Sequence, residues 1–310
     1  MLLKSIEQTQ IFSMEKYIDN LISLYDKDKL PNKIILSGYK GIGKSVLAYH
    51  LINYIFSINE KNPYDKQKFK IDSTNRSFNL VKKNSHPNFY NADIEEDKNN
   101  IGIDQIRKII TFCNKSSFNN FEKIVLINNV DKLNKNSANA LLKLLEEPTG
   151  EVFFILIKDS SKKLIETIFS RCIKFNINLD EKQKKNILSN ILNQNFYNNL
   201  NHDFKNYFLS PGDYVNLLNF FAENNIDYEV SIEDFLNFII SKKLYKNNLY
   251  LKNNISLFFE LYFAKQFFLF KENISAYTDY KNFIKELNNS YKFNLDLEVT
   301  LLQFKKKNNL

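Results

Sequence analysis

The sequence predicts an α/β fold, a parallel sheet covered by helices on both faces, followed by an all-helical C-terminal part. Three observations predict it. Residues 38–45 read GYKGIGKS and satisfy the phosphate-loop pattern G-x-x-x-x-G-K-[ST] without a mismatch. Short apolar runs then alternate with helical periods as far as Phe175, the pattern of strands joined by helical crossovers. Beyond Phe175 the strand signals cease, and stripes of Phe, Leu, Tyr and Ile at helical spacing take over.

Composition bounds the function. The 310 residues suffice for two or three domains, and 44% hydrophobic with 15% aromatic residues describes a globular chain. A formal net charge of +8 would suit work near nucleic acid, but the excess is spread along the chain and forms no basic arm. Cys113 and Cys172 are the only cysteines, far apart and outside any C-x-x-C pair. Reduced core thiols in a cytoplasmic protein are therefore expected, with neither a disulfide framework nor a zinc site. The opening MLLKSIEQTQ sets acid and amide groups close behind two leucines, and no run approaches the ~18 apolar residues of a membrane span. Neither export nor a membrane is expected.

In chain order, Ile11, Met14, Ile18, Leu21, Ile22 and Tyr25 repeat as a helix beginning at Ser13 and stopped by Leu30-Pro31. Ile11 and Phe12 either border the base of a nucleotide or are ordinary core. Lys33–Ser37 is a short buried strand, and Ser45–Ile52 opens a helix. Between them lie three of the chain's six glycines, so the backbone must turn tightly and come close to something. Strand, glycine loop and helix is the context in which loop N–H groups and a helix N-terminus hold phosphate. The expected nucleotide-binding set is Gly38, Tyr39, Lys40, Gly41, Ile42, Gly43, Lys44, Ser45 and Val46, joined by Asn128. Within it Lys44 serves the β/γ oxygens and Ser45 the Mg²⁺ ion.

Residues 59–74 are polar and aperiodic and read as a surface excursion. His86–Tyr90 enters a strand, with His86 a turn residue rather than a ligand, and Ile101–Ile110 begins a helix with Asp104 near its start. Lys123–Ile127 is the strand that in phosphate-loop enzymes ends beside the metal, with an Asp for its water shell and usually a Glu for the attacking water. Here both places are Asn, Asn128 and Asn129. A carboxamide takes no proton from water at neutral pH and brings no charge to a metal. Asp131 lies beyond the expected position and should cap the following helix.

Ser137–Glu147 is that helix, ended by Pro148. Glu151–Ile157 is a buried strand leading to Lys158-Asp159-Ser160, where a phosphate-sensing residue often sits. Ile165–Phe169 is a short helix running into Ser170-Arg171-Cys172 and the strand Ile173–Phe175. Helices follow over Glu181–Leu192 and Asn201–Leu209, then a turn at Ser210–Tyr214, a helix over Tyr214–Asn224, and helix throughout Ser231–Phe304. On the residues alone, Arg171 is a surface or ion-paired arginine.

Taken together, His86-Pro87 leading to IGIDQIRKI, the strand IVLINNVDKL, the helix NALLKLLEEP, the strand FFILI and the triplet Ser170-Arg171-Cys172 resemble the bacterial clamp-loader branch of the AAA+ ATPases. The resemblance spans about residues 5 to 225, and Asn294-Leu295-Asp296-Leu297 is reminiscent of the branch further on. It implies an AAA+ P-loop domain over 1–176, a small helical lid over 177–226 and a helical collar for oligomerisation over 227–310. It also implies ATP with Mg²⁺ as cofactor. The implied partners are other clamp-loader subunits, delta and gamma/tau, in a hetero-pentameric ring, with the sliding clamp and primer-template DNA. By the same resemblance Arg171 reaches in trans to the nucleotide of the neighbouring motor subunit, where a guanidinium stabilises charge on the transferred phosphoryl group.

Motor subunits of that branch carry a four-cysteine zinc knuckle, an Asp-Glu pair after the third strand and an arginine after the lid turn. This chain has no knuckle, has Asn128-Asn129, and has Asp213-Tyr214 after Pro211-Gly212. A non-motor subunit that binds ATP and hydrolyses it poorly is expected. The alternative is an active gamma/tau-like motor or another DNA-dependent AAA+ ATPase. A nucleotide-independent AAA+ module is disfavoured by the intact loop.

Overall fold

The computed structural model describes residues 4–95, 98–118, 122–146, 152–191, 199–205, 209–269, 274–293 and 295–308. Its strands are β1 (Lys33–Gly38), β2 (Phe89–Ala92), β3 (Lys123–Ile127), β4 (Val152–Asp159) and β5 (Ile173–Asn176). They form one sheet in the order β2-β3-β4-β1-β5, with every neighbouring pair parallel. Parallel neighbours require crossovers, and helices supply them: α1 (Glu15–Asp26) precedes β1, and α2 (Lys44–Ser57) and α3 (Arg76–Lys82) lie between β1 and β2. α4 (Ile103–Asn114), α5 (Lys135–Glu146) and α6 (Glu166–Phe169) follow β2, β3 and β4 in turn.

Both faces of the sheet are buried, which is why its strands are apolar runs rather than alternating ones. Ile34, Leu36, Ile124, Leu126, Ile155 and Ile157 pack into one core with α1, α2 and α3. Ile35, Val125, Ile127, Phe154 and Leu156 point the other way, into a second core with α4, α5 and α6. Cys113 and Cys172 belong to this second core as free thiols, and burial raises the pKa of each to about 11.

Local chemistry moved several boundaries. α1 starts at Glu15, not Ser13, because Ser13 sits at φ +58° and gives its N–H to Glu15 Oε1 at 2.9 Å. α3 was not anticipated; Asn75 caps it by accepting from Phe78 N at 2.7 Å, while Phe78 and Val81 bury its inner face. Asp131 does not cap α5. Asn134 does, accepting from Ser137 N at 2.9 Å, and Asp131 instead accepts from Asp159 N at 3.0 Å, tying the turn after β3 to the end of β4. His86 is a turn residue, stacked on Phe56 with ring centroids 4.0 Å apart. The expected ends at Glu147-Pro148, Glu151, Leu192 and Asn294 lie outside the described residues.

The chain divides into two compact units, Leu2–Asn190 with Ser210–Gly212, and Ile191–Leu209 with Asp213–Leu310. The sheet and α7 (Glu181–Ile191, all but its last residue) belong to the first. The second is helical among its described residues, comprising α8 (His202–Lys205), most of α9 (Pro211–Glu223), α10 (Ile232–Ser241), α11 (Leu249–Leu269), α12 (Ile274–Lys292) and α13 (Leu297–Lys307). The Ser210–Tyr214 turn of the sequence reading is mostly helix, because Pro211 takes the first helical position, where its missing N–H costs nothing.

Aromatic rings fill the second unit: Phe235 lies 4.8 Å from Phe258 and 5.4 Å from Phe221, and Phe259 lies 4.6 Å from Phe283 and 4.7 Å from Phe304, centroid to centroid. Each of these six rings is buried, worth about 1.5–3 kcal/mol apiece by area. Lys265 bridges Asp203 and Glu233 at 2.7 Å each, joining α11 to α8 and α10.

Candidate functional site

The glycine loop leaves β1 at Gly38 and enters α2 at Lys44, at the carboxyl end of the strands where open parallel sheets bind ligands. Gly41 and Gly43 have φ of +77° and +98°. At Gly43 it is the backbone angle that disfavours any side chain, since the Met14 Cε that a Cβ would meet at 2.8 Å is the movable end of its side chain.

Lys44 is 6% exposed, and its ammonium donates to the carbonyls of Gly38 at 2.8 Å and Tyr39 at 2.5 Å. Burial pulls its pKa down to about 8, against the opposing pull of the Asp159 and Asp131 carboxylates. Tyr39 is exposed, and Lys40 and Val46 complete the expected set around the loop. Ile42 is buried in the α1–α2 core. Ile11 joins the same core at 1% exposure, so of its two readings the structure gives it the core role; Phe12 beside it is half-buried.

Beyond β3, Ser45 Oγ donates to Asn128 Oδ1 at 3.2 Å, and Asn128 Nδ2 donates to Asn91 Oδ1 at 3.0 Å. Asn129 Nδ2 donates to Asp93 Oδ1 at 2.7 Å. Asn91 and Asp93 sit at the end of β2, next to β3 in the sheet, a neighbourhood that sequence separation conceals. Burial raises the Asp93 pKa, opposed by its hydrogen bonds from Asn129 and Ile94 N. At the end of β4, Ser160 N donates to Gly38 O at 3.0 Å, and Lys158 spends its ammonium on the carbonyls of Asp159 at 2.8 Å and Lys162 at 2.5 Å. Lys158 is therefore held by backbone.

One further contact reaches the loop. Gly212 N donates to Gly41 O at 2.8 Å, and a Cβ on Gly212 would lie 2.9 Å from Gly41 Cα and O. Only glycine allows this approach.

These residues fit a phosphate chain better than they fit a metal. The loop supplies N–H groups and Lys44, while the side chains beside the expected metal position, Ser45 and Asn128, are neutral oxygens. The Asp131 and Asp93 carboxylates already accept from Asp159 N and Asn129.

Arg171 is not part of this cluster. β5 pairs with β1 so that Ile173 stands beside Ile34, near the start of β1, whereas the loop begins at Gly38. That offset is four residues, a rise of roughly 13 Å at about 3.3 Å per residue, and Arg171 lies further back still. Its Nη1 donates to Thr167 O at 2.8 Å and Ser170 Oγ at 3.3 Å, and its Nη2 pairs with the Glu146 carboxylate at the end of α5. Ile165, Phe169 and Ile173 around it are exposed apolar residues, and β5 is an edge strand.

A family model described as DNA polymerase III, delta subunit, matches residues 13–181. The chain is 28% identical to the DNA polymerase III subunit delta' of Escherichia coli K12 over 154 residues, 50% of this chain and 44% of that one. It is 36% identical to the protein of the same name from Haemophilus influenzae over 107 residues, 34% of this chain and 32% of that one. The chain thus matches less than half the length of each of these relatives. A gamma subunit-related protein of Thermotoga maritima superposes with a TM-score of 0.49 at 18% identity, covering 91% of this chain and 96% of the other.

Proposed function

Because this chain belongs to the family described as DNA polymerase III, delta subunit, we propose that it is a clamp-loader subunit of the delta' kind. In this reading it helps place the sliding clamp on primer-template DNA within a hetero-pentameric ring of delta and gamma/tau subunits. It binds ATP through Gly38–Val46 and turns it over poorly. The observation that carries the reading is the partner of Ser45: the amide of Asn128, where a hydrolytic site of this kind needs a carboxylate. Residues 177–226 act as lid and 227–310 as collar, and the protein works in the cytoplasm. Among the described residues no helix is long and apolar enough to cross a membrane.

Arg171 serves the nucleotide of a neighbouring subunit. The register of β5 on β1 supports this, since an arginine side chain cannot span the distance back to its own loop. The exposed Ile165, Phe169 and Ile173 around it suit a protein contact. A second reading, an active ATPase of the same superfamily hydrolysing at this chain's own site, is favoured by Asp93, whose carboxylate touches Asn129.

Two measurements test the proposal. Equilibrium binding and turnover of Mg-ATP by the purified chain should give binding that Lys44→Ala abolishes and negligible turnover; robust turnover lost in Lys44→Ala would overturn it. In the reconstituted complex, Arg171→Ala should lower DNA-stimulated ATPase and clamp loading. An arginine finger is worth roughly 10³–10⁵ at its own site, but only one of several sites would lose it, so the fall is partial. Arg171→Lys should not restore the rate, because a point charge lacks the planar fork. Equal rates in wild type and Arg171→Ala would remove the trans role.

A further inference from the structure

We infer that Glu146 is the positioning residue for Arg171, an inference that rests on the trans role just proposed. Arg171 has a long side chain with many rotamers, and an arginine that must meet a phosphate on another subunit has to be aimed before the partner arrives. Three groups fix it here: the Thr167 carbonyl at 2.8 Å and the Ser170 hydroxyl at 3.3 Å hold Nη1, and the Glu146 carboxylate holds Nη2. Three of the five N–H donors of a guanidinium are thereby directed, leaving two for an incoming oxyanion among the described contacts.

Stability does not account for Glu146. The side chains of Arg171 and Glu146 are 34% and 48% exposed, and an ion pair in that setting contributes little to folding. A carboxylate that stabilises the fold little has its clearest use in the orientation of the guanidinium. The pair also connects α5 to the segment after α6, whose cores are shared through Leu144, Leu145 and Ile168. The aim of Arg171 is thereby referred to the sheet rather than to a surface loop.

The test uses the complete reconstituted complex with Arg171→Ala, Glu146→Ala, Glu146→Gln and the double variant Glu146→Ala/Arg171→Ala, reading the maximal DNA-stimulated ATPase rate, KM for ATP, subunit assembly and the melting temperature of the isolated chain. Glu146→Ala should lower the maximal rate two- to tenfold with KM, assembly and melting temperature unchanged. Glu146→Gln keeps an acceptor oxygen and should recover at least half of that loss. The double variant should be no slower than Arg171→Ala alone, because both changes act through one guanidinium. If Arg171→Ala lowers the rate and Glu146→Ala does not, the positioning role is wrong while the trans role stands. If Glu146→Ala lowers melting temperature or assembly in step with the rate, Glu146 is structural and the inference falls. If Arg171→Ala itself is without effect, the trans role fails and takes this inference with it.

Discussion

Ser45, the residue that closes the phosphate loop, donates its hydroxyl to the amide oxygen of Asn128 across 3.2 Å. The helix that follows the loop and the end of β3 are therefore already in contact, and what the pair lacks is charge. Replacing Asn128 by Asp and Asn129 by Glu should restore a metal-supporting carboxylate and a water-polarising one, although Glu at position 129 would have to leave the left-handed φ of +53° that Asn tolerates there. General-base catalysis is typically worth about 10²–10⁴ in rate, so the double variant of the purified chain should hydrolyse ATP at least tenfold faster than wild type. A steady-state phosphate-release assay checks it, and an unchanged rate would mean that more than these two side chains is missing.

Lys44 gives a prediction in which function and stability move in opposite directions. Its folded-state pKa of about 8 lies below the usual value of 10.5, so the folded state disfavours the ammonium. The penalty is present below pH 8 and is relieved as pH rises toward 10.5, where the unfolded chain still holds the proton. Lys44→Met should leave the melting temperature at pH 7 equal or higher, while abolishing the further rise that Mg-ATP gives wild type. Thermal melts with and without nucleotide measure both; a large loss of stability in the apo variant would show that the two carbonyl contacts of Lys44 outweigh its burial.

Acid should weaken the first unit through His50. This ring is 0% exposed, between Tyr64 Oη at 3.0 Å and Gln8 O at 3.2 Å, and burial drives its pKa down to about 3. Between pH 6.5 and 3 the unfolded chain binds a proton that the folded chain refuses, so stability falls as pH falls, by up to about 1.4 kcal/mol per pH unit. His86, with a pKa lowered to about 4 by burial, adds to the same slope. Urea unfolding at pH 7 and pH 5 should show the loss, and His50→Gln should show a shallower one.

Gly212 tests the contact with the loop. Its N–H lies 2.8 Å from Gly41 O, and an added methyl would come within 2.9 Å of Gly41 backbone atoms. Gly212→Ala should cost about 1–3 kcal/mol as overpacking and should alter nucleotide affinity, because Gly41 must yield. Denaturation and nucleotide titration of the variant provide the check. An unchanged affinity would separate Gly212 from the function of the loop.

Much of this was legible in the sequence, for physical reasons. β1, β3 and β4 are buried on both faces, so they appear as uninterrupted apolar runs, and GYKGIGKS needs no tertiary contact to be recognised. α3 was hidden because its polar surroundings gave no long periodic stretch; the usable signal was Asn75 as cap followed by Phe78 and Val81. Asn91, Asp93 and Glu146 were invisible for a different reason. Asn91 is 37 positions from Asn128, and Glu146 is 25 from Arg171; these pairs meet only because of the order of the strands and the packing of α5 beside α6. Asp131 looked like a helix cap by position, and only the parallel pairing of β3 with β4 brings it to the Asp159 N–H.

The register of β5 on β1 has a consequence for symmetry. With the glycine loop at one end of the sheet and Arg171 toward the other, the first unit has a head and a tail that do not match. A contact that joins the tail of one molecule to the head of another with no reciprocal contact is heterologous, and it repeats around a ring or along a filament instead of closing in a two-fold pair. Molecules joined this way have a direction, and each position in the series has a distinct neighbour before and after it. On the function proposed above, a tail that serves a neighbour beside a head that hydrolyses poorly would assist the next member while drawing little on the one behind, and would suit the chain to one fixed place in such a series.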